Sequence, residues 1–157
     1  MKKVIILLGF FFIVKISVSQ QSSFVLNKLE YFERGGVNVM AYQDIYSEGH
    51  QGGVAVIMHG KRVATNGDIR LDETPGQWQP IPKQLDRKVD LAGNSVTVNL
   101  AYPDPAINRK GFNPIEYPDL NFNYTVKVRS QGESIIITVD LNRPIPKEFI
   151  GKVGFNM

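Results

Sequence analysis

The chain has 157 residues, no cysteine, and 18 basic against 15 acidic residues. Without cysteine there can be no disulfide, no thiolate zinc site and no lipid-modified N-terminal cysteine. Lys2, Lys3 and Lys15 account for the whole excess of positive charge; the remainder is balanced, offers no clustered positive field, and so excludes nucleic acid or an anionic membrane surface as a partner.

Those three lysines belong to an export signal. Lys2 and Lys3 form a charged start, Val4 to Val14 is an unbroken apolar run, and Ser17-Val18-Ser19 is the small-x-small pattern that signal peptidase requires. The run stops at Lys15, well short of the roughly 20 apolar residues that span a bilayer. Cleavage after Ser19 is expected, giving a bacterial secreted or periplasmic protein with no membrane span. About 138 residues then remain, enough for one core that needs no disulfide.

The rest of the chain reads as strands and turns without a helix. Early strands are expected at "SFVLNKLEYFE" and "VNVMAYQ". A short hairpin follows: "GVAVIM", a turn at His59-Gly60, then "RVATN". Another runs through Leu85, Val89 and Leu91, turns at Gly93-Asn94 and returns through Val96, Val98, Leu100 and Tyr102. The clearest is Phe122 to Leu141. Phe122, Tyr124, Val126 and Val128 alternate with polar residues; across "SQGE", Ile135, Ile137, Val139 and Leu141 do the same apart from Ile136. Such alternation predicts one buried face, with Tyr124, Val126, Val128, Ile135, Ile137 and Val139 inside, Lys127 and Arg129 outside, and this hairpin central. "ETPGQWQPIPK" and "YPDPAINRKGFNPIEYPD" hold seven of the nine prolines; proline cannot donate to a ladder, so both are surface loops. Eight or more short strands with these turns predict an all-β fold, a single antiparallel β-sandwich of immunoglobulin-like or jelly-roll-like type over residues 20–157.

Chemistry-bearing residues crowd into "YQDIYSEGHQGG", residues 42–53. Asp44 and Glu48 have the residue types of a glycosidase acid–base pair, but nothing in the sequence sets the separation of roughly 5 to 9.5 Å that such a pair needs. A polar turn uses the same residues: the acids keep it solvated and Gly49, Gly52 and Gly53 allow positive φ. That reading is preferred, and no catalytic residue is assigned. His50 and His59 are the only histidines and lack metal-ligand spacing, no calcium loop is present, and no cofactor or metal is expected. For binding, Trp78 inside "PGQWQPIP" is the best candidate. An aromatic ring can carry a sugar face while Gln77 and Gln79 take its hydroxyls. A tryptophan folded inward as a cap on the sandwich, with its N–H on a backbone carbonyl, is the preferred reading. Tyr42, Tyr46 and Tyr117 face the same choice.

"LNKLEYFE", "GVNVMAYQDIYSEGHQGGV", "RVATNGDIRL", "TPGQWQPIPK" and "GKVGFN", in this order behind a signal peptide, resemble the N-terminal β-rich region of secreted Bacteroidetes glycoside hydrolases of family 9, the endoglucanase and cellulase family. The resemblance runs from about Leu26 to Met157. It implies that an immunoglobulin-like module and a catalytic (α/α) barrel follow in the same chain, that the barrel carries the acid and base of an inverting hydrolysis, and that none of those carboxylates lies here. The C-terminal "IPKEFIGKVGFNM" entering a strand as it stops accords with a truncated chain. A non-catalytic accessory domain of a β-glucan hydrolase is therefore expected, whose partners are the downstream domains and β-glucan. A stand-alone carbohydrate-binding module, or a small enzyme using Asp44, Glu48 and His50, are the alternatives.

Overall fold

The structure is a computed structural model that describes residues 22–43, 52–72, 80–104 and 120–157. Among these residues, ten strands lie in two antiparallel sheets. The first contains β1 (Val25–Leu26), β2 (Phe32–Arg34), β3 (Val37–Ala41), β4 (Val54–Met58), β5 (Lys61–Leu71) and β10 (Val153–Asn156), in the order β1-β2-β3-β4-β5-β10. The second contains β6 (Lys83–Asp90), β7 (Ser95–Tyr102), β8 (Phe122–Gln131) and β9 (Ser134–Leu141), in chain order. A 3-10 turn over Lys147–Phe149 precedes β10. The all-β sandwich expected from the sequence is the fold observed.

Alternation decides what lies between the sheets. On β7 and β8, Val96, Val98, Leu100, Tyr124, Val126 and Val128 are each 2% exposed or less. Their intervening neighbours Thr97, Asn99, Thr125 and Lys127 stay at or near the surface, as a period of two requires. Phe32, Val39, Val54, Ile69 and Leu71 meet them from the first sheet. Tyr102, Phe122 and Tyr124 form one aromatic cluster with ring centroids 5.3 to 6.5 Å apart, within the range in which tilted rings attract.

Four expectations are corrected by the structure. "SFVLNKLEYFE" is not one strand. Asn27 Oδ1 accepts the N–H groups of Leu29 and Tyr31, and Glu30 takes a φ of 64°, so an asparagine turn splits it into β1 and β2. The strand after His59-Gly60 continues far beyond "RVATN" to Leu71; a bulge, with Asn66 at φ 56°, lets it change direction without ending. Leu85 and Leu91 are about half exposed, at 51% and 48%. A register shift between Gln84 and Asp86 takes Leu85 out of phase, and Leu91 stands in the turn. Finally, only β8 of the last hairpin is central. β9 is an edge strand, so Ile135, Ile137 and Val139 are half-buried; Arg129, expected outside, is also half-buried.

The two ends of the sandwich differ. The tight turns at Gly35-Gly36, His59-Gly60, Leu91–Asn94 and Gly132-Glu133 lie at one end. There the sheets are tied by the Phe24 N–H donating to Gly132 O at 2.9 Å, the Leu26 N–H to Asn94 Oδ1 at 2.9 Å, and an Arg34–Glu133 ion pair at 3.1 Å. The residues flanking the three undescribed internal stretches, among them Gln43, Gly52, Asp72 and Asp104, stand at the other end.

Candidate functional site

The most concentrated polar chemistry among the described residues lies inside that second end. Asp68 sits on β5 just past the Asn66-Gly67 bulge and is 8% exposed. Its Oδ1 accepts three donors: the Tyr42 hydroxyl at 2.7 Å, the Tyr124 hydroxyl at 2.5 Å and the Ile69 N–H at 2.7 Å. Tyr42 closes β3 and Tyr124 belongs to the opposite sheet, so a single carboxyl ties β3, β5 and β8. Tyr42 is held firmly. Its φ is 50°, unusual for a residue with a bulky side chain, and its N–H donates to Gly53 O at 2.8 Å.

Burial governs the proton chemistry of this cluster. It pushes the Asp68 carboxyl up from its ordinary 3.8, while the two phenols, the Ile69 N–H and the charge of Arg70 pull it back without prevailing. Tyr42 and Tyr124 are pushed far above their ordinary range, first by burial and then by the neighbouring carboxylate. Both phenols therefore remain protonated donors, and neither acts as a base near neutral pH.

A second polar tie crosses the sandwich at Arg87 on β6. Its Nε donates to Ala41 O at 3.1 Å and its Nη1 to Glu30 Oε2 at 2.5 Å. The Arg87 side chain is 14% exposed and that of Glu30 45%, so the pair stands at the margin of the core. Outside, the β5–β10 margin carries an open depression of about 350 Å³ around Arg70, Asp72, Lys152, Gly154 and Asn156. An added Cβ at Gly154 would meet nothing within 4 Å, so the depression there is unfilled.

The sequence-predicted residues distribute unevenly. Trp78, Gln77, Gln79 and Tyr46 lie outside the described residues, as do Asp44, Glu48, His50 and Tyr117. Tyr42 is described and turns inward, 6% exposed, with its hydroxyl donating to Asp68. His59 occupies the β4–β5 turn, where its N–H donates to Gly36 O at 2.7 Å and its imidazole Nδ1 would lie 2.7 Å from a Cβ added at Gly36. That approach, with Gly36 at φ 85°, explains a glycine there. Among the described residues no group of three histidine or acidic side chains could hold a metal, and no helix is long and apolar enough to cross a membrane.

Asp68 is the residue that sequence reasoning missed. Its available signal was an acid between Gly67 and Ile69 in "NGDIRL", where the strand's apolar side resumes immediately. A solvated turn would give the same pattern. No family model matches the chain, and no curated protein or solved structure matches it significantly.

Proposed function

We propose that this chain is the non-catalytic N-terminal β-sandwich of a secreted glycoside hydrolase acting on β-glucans such as cellulose. The observation that carries this reading concerns the strings on which the resemblance rests. "LNKLEYFE" supplies the end of β1, its turn and most of β2; "GVNVMAYQ" supplies β3; "RVATNGDIRL" supplies nearly all of β5; "GKVGFN" leads into and contains β10. Four of the five stretches, scattered from Leu26 to Asn156, fold into one sheet, with the last paired directly against β5, while the described end of the fifth, "TPGQWQPIPK", leads into β6 of the other sheet. They behave as parts of one structural unit, as a domain-level resemblance requires. The polar ties support a scaffold role as well, since Asp68 and Arg87 hold strands together.

The test begins with the gene. Sequence read beyond the Met157 codon should encode a further module and an (α/α) barrel, and an in-frame stop directly after that codon overturns the proposal. The chain by itself should release no reducing sugar from any β-glucan, whereas the version carrying the downstream sequence should cleave internally. Activity of the chain alone, abolished by D44N or E48Q, would replace this reading with catalysis by those two residues.

A further inference from the structure

The free edge of the four-stranded sheet is built for another strand. β9 pairs with β8 along its whole length with no shift of register. In an antiparallel ladder the peptide groups point alternately to the two sides. The Asn142 N–H donating to Asn123 O at 2.9 Å sets the phase: Ser134, Ile136, Thr138 and Asp140 turn their peptide groups to β8. Ile135, Ile137, Val139 and Leu141 therefore turn theirs to the open side. Among the described residues no backbone hydrogen bond reaches these peptide groups from that side.

The side chains agree with the backbone. Ile135, Ile137 and Val139 face the core but remain half-buried, whereas Val126 and Val128, opposite Val139 and Ile137 on β8, are 0% exposed. The sheet thus ends in a partly covered apolar margin. Its other edge is protected: β6 carries Lys83, Asp86 and Lys88 and is bulged at Leu85. The outer strands of the first sheet, β1 and β10, are only two and four residues long. β9 has none of these protections from Ser134 to Val139, being without charge, proline or bulge.

We propose that two copies of this chain associate through β9, pairing antiparallel about a two-fold axis at Ile137 to join their four-stranded sheets into one. The sequence is self-complementary in this register. Ile137 opposes its own counterpart, and Ile135 opposes Val139 of the second copy, extending the apolar margin across the junction. On the outer face Ile136 opposes Thr138 and Ser134 opposes Asp140, so no like charges meet. The phase also fits, because the residues that pair across the axis are those with outward peptide groups, giving about six backbone hydrogen bonds. One patch serves both copies, the isologous arrangement that closes at a dimer.

Sedimentation velocity of the full chain over a concentration series tests this, with two double variants that change only outer-face residues of β9. I136K/T138K sets like charges opposite each other twice across the axis and should weaken the dimer roughly tenfold or more. I136K/T138D sets opposite charges in the same places and should restore it. Both variants should keep the wild-type far-UV circular dichroism spectrum, showing intact monomers, with I136K/T138D melting the higher because residue 138 stands opposite Lys127 on β8. A wild-type chain that stays monomeric at every concentration, or two variants that dissociate alike, overturns the proposal.

Discussion

Asp68 is where the interior is most sensitive to a single atom. Its carboxyl is raised above the ordinary 3.8 because burial outweighs the donors around it, so the folded chain holds this proton more tightly than the unfolded chain does. For a raised acid, the stabilising contribution is complete below the unfolded value and is lost as pH rises through the folded one. Asp68→Asn keeps the size and the acceptor oxygen but cannot ionise. Denaturant unfolding across a pH series should therefore show the wild type losing stability relative to Asp68→Asn from about pH 4 upward. A difference independent of pH would mean that Asp68 does not titrate in this way. Tyr124→Phe removes the shortest of the three donors, and it should cost about 1.5 to 3 kcal/mol at a pH where the acceptor is charged. Combined with Asp68→Asn, the cost should shrink to that of a neutral hydrogen bond, about 1 kcal/mol, because the two side chains form one unit.

Among the elements, β8 carries most of the sandwich. It lies between β7 and β9, and its four core-facing residues Phe122, Tyr124, Val126 and Val128 are essentially excluded from solvent. Val126→Asp should abolish folding, as seen by loss of the near-UV circular dichroism signal, because an unpaired buried charge costs several kcal/mol against a total of about 5 to 15. The same substitution at Val139, across the ladder on β9, should be milder, since that site is half-buried and beside an open edge. The contrast shows what alternation can reveal. It gave the face of the apolar residues on β7 and β8 and the positions of both long hairpins, because period two follows from the backbone itself. It could not distinguish a central strand from an edge strand: apart from Ile136, Ile135, Ile137 and Val139 alternate as the β8 valines do, and their exposure depends on a neighbour that local sequence does not name. Leu85 and the split between β1 and β2 escaped for a related reason. A one-residue bulge or an asparagine turn changes phase or direction with hardly any trace in apolar pattern.

At the scale of the molecule, the division between the two ends bears on where a glycan would be met. One end is closed by tight turns and inter-sheet ties; all three undescribed internal stretches, which contain Trp78, Gln77, Gln79 and Tyr46, depart from the other. Legibility of the candidate site divides along the same line. The interior tie was hidden because Asp68 and Tyr124 are far apart in sequence and meet only through packing. Among the described residues the aromatic side chains are buried or half-buried, and none stands fully exposed as a platform for a sugar ring. If the chain has the accessory role proposed above, spacing rather than gripping, it should bind soluble β-glucan weakly or not at all, as measured by isothermal titration or affinity electrophoresis. Any binding that is observed should depend on Trp78, because an aromatic anchor at a binding surface can carry roughly 2 kcal/mol or more. Trp78→Ala would then weaken it by roughly thirtyfold, with the melting curve unchanged if the ring faces solvent. Equal loss of binding and stability would instead identify Trp78 as an inward cap of the sandwich. Strong binding that survives Trp78→Ala would remove both the platform and the spacer role, leaving a glycan-binding module with its site elsewhere on the chain.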